Sequence, residues 1–356
     1  LTSPALDDLS TFVPVLLQAL ETLQFVARQF HPPRLAELVA SVGARDAALR
    51  AARPSLDGWP GELAGLRAPL VRAADHALAA FDALRSAATG TEGTMAAFRA
   101  FRHLPLAQEA LYPFAHALPP VNRFFLSPDR RADLDLQARL AGDTGPETGL
   151  LHVDNTWESR GGYSLYVPET YVPERPLPLV VALHGGSGHG RGFLFSWLRD
   201  ARSREAILVA PTSVGRTWAI QGEDEDTPNL KRIVAEVRAR WAVDPERLLL
   251  TGMSDGGTFA YLTGLESDSP FTHLAPVAAA FHPMLVEFAD RERLQGLPIQ
   301  IVHGTLDWMF PVELAVEAER VLRAAGAAVV FRELSDLSHT YPQEMNGVLL
   351  DWLTAA

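Results

Sequence analysis

Cysteine is absent from the 356 residues, which removes disulfides and thiolate chemistry. A metal site of His, Asp and Glu stays chemically open, but no metal and no cofactor is expected. Lysine occurs once, as Lys231 after "TPNL", so there is no GxxxxGK loop to cradle phosphates. Positive charge is scarce. The net charge of −12 and a pI near 5.4 lack the basic footprint that nucleic acid needs. Long apolar runs are missing too. Phe12 to Leu20 is interrupted by Pro14 and Gln18 and is too short to cross a bilayer, so no transmembrane segment is expected. No basic–apolar–small signal pattern opens the chain, and a cytoplasmic location is the expectation. A signal removed ahead of Leu1 stays open.

What is present divides into two halves. Hydrophobic residues make up 47% of the chain, enough for more than one domain. Residues 1–145 read as helical. Leu6, Leu9, Val13, Leu16, Leu20 and Leu23 recur at steps of three and four, as do Leu63, Leu66, Leu70, Leu78, Phe81 and Leu84. Pro32, Pro33, Pro54, Pro60 and Pro119 punctuate them. This half carries 15 acids against 14 arginines, so the acidity of the chain belongs to the remainder. The stretch "AGDTGPETG" (141–149) reads as a linker. A helical domain over 1–145 could serve as a cap, a docking module or a route to homo-oligomers.

After the linker the period changes. Short Val/Ile/Leu-rich runs at 162–168, 177–185, 206–212, 247–252, 274–281, 298–304 and 328–334 alternate with helix-like segments such as 230–241 and 312–325. This pattern predicts an α/β domain over 146–356 with a mainly parallel sheet. The run "EDED" (223–226) reads as a solvated loop.

One junction stands out. "LLLTGMSDGGTFAYL" (248–262) passes from strand to helix through GxSxG, with Ser254 between Gly252 and Gly256. A turn that tight strains the serine backbone and leaves no room for side chains two residues to either side. The simpler reading is a glycine-rich turn with Ser254 as a helix cap. A serine nucleophile needs a base, and the base needs an orienting acid. Asp307 follows a strand 53 residues later, and His339 follows the last strand 32 residues after that. Both sit at carboxyl ends of strands, where open α/β sheets gather their sites. Rival acids are Asp290 and Asp336; rival histidines are His184, His282 and His303. The turn "HGGSG" (184–188) could supply a backbone N–H to a developing oxyanion from Gly186 or, alternatively, Ser187, opposite one from Asp255. Trp218, Trp308, Met309 and Phe310, with Ser187, are candidate pocket residues, as are Phe193, Phe195 and Trp197.

Together "LHGGSG", "VDPERLLLTGMSDGG", "HGTLDWMFPV" and "SHTYP" resemble the α/β-hydrolase superfamily over residues 148–356. They look most like its compact branch of phospholipase/carboxylesterases, feruloyl esterases and polyhydroxyalkanoate depolymerases. The resemblance implies an α/β-hydrolase fold behind an all-helical N-terminal domain. It also implies cofactor-free hydrolysis of small carboxylic esters by Ser254, His339 and Asp307. A serine peptidase or amidase of the same fold is one alternative. A helical interaction protein carrying a relic hydrolase is another. The first 145 residues match nothing in that branch.

Overall fold

A computed structural model describes residues 3–90, 93–142 and 145–355. The chain divides into two compact units, Leu1–Gly142 and Asp143–Ala356.

The first unit is helical: α1 (Ser3–Gln29), α2 (Leu35–Val42), α3 (Ala47–Ala52), α4 (Ala64–Thr89), α5 (Gly93–Phe101), α6 (His103–Leu111), α7 (Pro119–Phe124) and α8 (Leu134–Arg139). On α4 the buried residues Leu70, Ala73, Ala74, Ala77, Ala80, Phe81, Leu84 and Ala87 repeat at helical spacing. Alanine on this stripe lets neighbouring backbones approach, and α4 packs on α1, α2, α3, α5 and α6. The prolines at 32, 54 and 119 stand in 3-10 turns or at the first turn of α7, where a missing N–H is harmless. Pro14 and Gln18 do not interrupt α1, contrary to the sequence expectation. Ala5–Gln29 is therefore long and apolar enough to cross a membrane. Its Phe12, Val13, Leu16, Ala19, Leu20, Leu23 and Val26 are buried, and it packs on α2, α3, α4, α6 and α7 as a core helix does.

The second unit is built on one eight-stranded sheet: β1 (Gly149–Val153), β2 (Tyr163–Val167), β3 (Leu177–Leu183), β4 (Ile207–Pro211), β5 (Val243–Met253), β6 (His273–Val277), β7 (Pro298–Gly304) and β8 (Ala328–Leu334). The strand order is β1-β2-β4-β3-β5-β6-β7-β8. β2 runs antiparallel to β1 and β4, and every other pairing is parallel. Between the strands lie α9 (Gly190–Phe193), α10 (Leu198–Ser203), α11 (Asp226–Arg240), α12 (Asp255–Gly264), α13 (Met284–Phe288), α14 (Arg291–Leu294) and α15 (Glu313–Ala324), with α16 (Met345–Thr354) last. β2, β3, β4 and β6 are buried along their whole length, which is why their sequences are continuous apolar runs without alternation.

Three details differ from the sequence reading. Asp143 and Thr144 of the expected linker lie outside the described residues, and the linker's last residue, Gly149, opens the unforeseen strand β1. The run at 274–281 leaves the sheet after Val277, where Ala278 takes a φ of 47°. Asp226 is not solvated: it is buried at the start of α11, and its carboxylate accepts from the Val214 and Ala219 amides at 2.7 and 2.8 Å. Burial raises its pKa above the usual carboxylate range, opposed by those two amides.

Candidate active site

Parallel strands place their carboxyl ends along one edge, and the segments that follow β5, β7 and β8 there carry the site. Ser254 stands between β5 and α12 with φ 56° and ψ −121°, outside the ordinary range for a side-chain-bearing residue. Two glycines permit it. A Cβ on Gly252 would lie 2.5 Å from the Gly256 backbone, and one on Gly256 would lie 2.5 Å from the carbonyl oxygens of both Leu183 and His184. The Ser254 amide donates to the Val277 carbonyl at 2.9 Å, tying the turn to the neighbouring strand end. The serine side chain does not cap α12. Its Oγ lies 3.0 Å from Nε2 of His339 instead.

His339 follows β8, and its Nδ1 lies 2.8 Å from Asp307 Oδ2. Asp307 follows β7. Its other oxygen accepts from the amides of Met309 and Phe310 at 2.9 and 2.8 Å. Burial works to raise the Asp307 pKa. The hydrogen bonds from His339 and the two amides outweigh it, and the pKa is held below the usual carboxylate range. The carboxylate is thus ionised and fully committed, one oxygen to the imidazole and one to the backbone.

The rival residues make other contacts. Asp290 is exposed and caps α14, and Asp336 is exposed. His282 is exposed and accepts from the Met284 amide. His303 is buried beside Asp307, with Nε2 donating to the Phe310 carbonyl at 2.9 Å and standing 3.4 Å from Asp307 Oδ2. Its Nδ1 has no hydrogen-bond partner among the described residues. His184 is buried beneath the turn it begins. Its Nδ1 donates to Gly185 O at 2.7 Å, and its Nε2 accepts from the Ser213 amide at 3.2 Å.

Gly186 and Ser187 are exposed at the crest of that turn. A Cβ on Gly186 would lie 2.7 Å from Asp255 Oδ2, so the turn sits against the first residue of α12. The Thr217 hydroxyl donates to the same carboxylate oxygen at 2.5 Å. Of the candidate pocket residues, Trp308 and Met309 are exposed and Phe310 is half-buried. The Trp308 and Phe310 rings meet His339 edge to face, at centroid distances of 6.2 and 5.3 Å. Trp218 is placed differently: it is buried, stacked on Phe259 and against His184, and belongs to the core under the HGG turn. Phe195 and Trp197 are core as well, while Phe193 is half-buried against Tyr341. Thr217, Asp226 and Arg160, which shape the turn's surroundings, carry no sequence signal. Their partners lie from 7 to 56 residues away in sequence.

Parts of this chain are similar to known proteins. Residues 220–355 match the phospholipase/carboxylesterase family. A stretch of 150 residues, 40% of this chain, is 29% identical to the bifunctional acetylxylan esterase/xylanase XynS20E of Neocallimastix patriciarum. The matched region spans about a fifth (21%) of that protein's length. Among solved structures, a thermostable esterase aligns with 58% of this chain and 62% of its own, at 21% identity and a TM-score of 0.48. A ferulic acid esterase aligns with 59% of this chain and 99% of its own, at 17% identity and the same TM-score. With Ser254, Asp307 and His339 following β5, β7 and β8 in chain order, the second unit has an α/β-hydrolase fold, and its residues 220–355 resemble the phospholipase/carboxylesterase family.

Proposed function

We propose that the second unit is a serine esterase acting through an acyl-enzyme. The observation that carries this reading is the continuous chain Ser254 Oγ–His339–Asp307, at 3.0 and 2.8 Å, on a backbone strained only at the serine end. In the first step Ser254 Oγ attacks the ester carbonyl and its proton passes to Nε2 of His339. Collapse of the tetrahedral intermediate expels the alcohol, which takes that proton. In the second step a water gives one proton to the same nitrogen and adds to the acyl carbonyl; the bond to Ser254 Oγ then breaks, Oγ takes that proton back, and the acid is released. Asp307 keeps Nδ1 protonated and stabilises the imidazolium.

The negative oxygen that forms in each step needs fixed donors. The Asp255 amide is the first of α12, where a helix has no carbonyl of its own to offer it. With the Gly186 amide across the turn it makes the oxyanion site, and Ser187 is the alternative second donor. Trp308, Met309 and Phe310 form an apolar wall beside His339 that suits the acyl group.

The reaction class is tested with p-nitrophenyl esters of increasing chain length, acetylated sugars and aminoacyl nitroanilides. Acetylated sugars are included because the XynS20E relative is an acetylxylan esterase. Turnover of the esters with kcat/KM at least about a hundredfold above the anilides supports an esterase. The reverse preference supports a peptidase, and no turnover of any of them contradicts both.

A further inference from the structure

The HGG turn holds a strain of its own. The Gly188 amide donates to Gly185 O at 2.9 Å and closes a four-residue turn, with Gly186 and Ser187 at its centre. Ser187 sits there with a φ of 56°. A non-glycine residue in that region persists only where its surroundings impose it. One end of the turn is held from below, by the His184 imidazole on Gly185 O. The other end is held from the side. Arg160, in the loop joining β1 and β2, donates through Nη1 to Gly188 O at 2.7 Å.

The rest of the same guanidinium grips the segment after β4. Nε donates to the carbonyls of Ser213 and Gly215 at 3.1 and 3.0 Å. Nη2 donates to the Arg216 carbonyl at 3.2 Å and to the Ser213 hydroxyl. That segment is itself fixed, because Asp226 binds the amides of Val214 and Ala219, and the Ser213 amide reaches His184. The loop bearing Arg160 is anchored too. Gly161 N donates to Thr212 O, and Thr212 N to Gly162 O, at 3.1 and 2.8 Å. Three loops with no sequence proximity therefore meet on one planar cation.

We infer that Arg160 is a positioning residue for the oxyanion site: by holding Gly188 O it fixes the strained turn whose Gly186 or Ser187 amide meets the developing negative oxygen. This rests on the esterase reading above. Arginine is suited to the place because its N–H groups diverge in a fixed plane toward several acceptors, which a lysine ammonium cannot reproduce. Substrate binding in the ground state asks little of the turn. The tetrahedral intermediate asks for the amide at hydrogen-bond distance, so misplacing the turn lowers kcat more than it raises KM.

The test compares the full chain with Arg160→Ala, Arg160→Lys and Ser254→Ala. It reads kcat and KM on p-nitrophenyl acetate, inhibition by an aryl trifluoromethyl ketone, and Tm. The ketone forms a tetrahedral adduct on the serine, so its affinity reports the oxyanion site directly. Arg160→Ala is expected to lose about 10- to 100-fold in kcat, somewhat less than removal of an oxyanion donor itself, with KM within about twofold. Ketone affinity is expected to fall in step with kcat. Arg160→Lys should show the same split, and it decides the matter if the alanine variant does not fold. Unchanged kcat, or a fall in kcat with unchanged ketone affinity, overturns the inference. If Ser254→Ala keeps wild-type turnover, the esterase reading fails first and takes this one with it.

Discussion

Trp218 donates its indole N–H to the His184 carbonyl at 2.7 Å while its ring lies against the His184 imidazole at 4.9 Å. One side chain thereby satisfies the backbone and covers the ring at the base of the HGG turn. Trp218→Phe keeps much of the stacking and leaves that buried carbonyl short of a donor. It is expected to lower stability by about 1–3 kcal/mol, read by urea unfolding. Because the turn rests on this contact, kcat should fall as well. A variant as stable and as active as the wild type would show that the contact supports nothing.

The glycine requirement at the elbow is open to an equally direct check. Gly256→Ala places a methyl carbon 2.5 Å from two carbonyl oxygens, so β3 and α12 must part. Overpacking of this kind typically costs about 1–3 kcal/mol. Here the displacement falls on the strand end that carries the HGG turn, so activity is expected to drop well beyond what the lost stability explains. The measurement is kcat at a temperature where the variant is fully folded, and near-normal kcat would refute the crowding argument.

His184 gives a pH-dependent test. Burial pushes its pKa from 6.5 down to about 3. The unfolded imidazole takes a proton below pH 6.5, while the folded one stays neutral until about 3. Its contribution is therefore fully present above pH 6.5 and is lost as the pH falls through that window. The loss is about 1.4 kcal/mol per pH unit. In His184→Gln, which has no imidazole to titrate, unfolding free energy should fall by that much less between pH 6 and 5. Parallel curves for the two proteins would contradict a neutral buried imidazole.

The second unit should fold alone. Its main core runs from Tyr163 to Val329 and is made of its own residues. A chain starting at residue 143 is expected to give a cooperative unfolding transition, followed by circular dichroism. The same protein tests whether residues 1–145 act as a cap. Altered KM values across short and long acyl esters support a cap, and wild-type values for all of them contradict it.

Much of this was legible in the sequence because strong local constraints left marks there. Strands buried on both faces must be apolar throughout, and the elbow excludes side chains at Gly252 and Gly256. Asp307 and His339 follow successive strand ends. β1 left no such mark, since it is a half-exposed edge whose identity comes from pairing with β2. Pro14 reads as a break in sequence, yet α1 continues through it. Asp226 looks like one more member of an acidic run, because nothing nearby reveals that the Val214 and Ala219 amides converge on it. Trp218 resembles any aromatic near a glycine loop, and only the fold shows that it lies under the turn. Arg160 is the extreme case: its partners lie 28 to 56 residues away, all but one of them backbone carbonyls, which every residue has.

The most direct measurement is steady-state hydrolysis of p-nitrophenyl acetate by Ser254→Ala beside the wild type, with mass spectrometry of both after fluorophosphonate treatment. Alanine fits wherever serine does, so the variant should melt as the wild type does. Its kcat is expected to fall by a factor of at least about a thousand. The wild type should carry a single adduct on Ser254, and the variant none. Retained turnover, or an adduct elsewhere, would show that Ser254 is not the nucleophile.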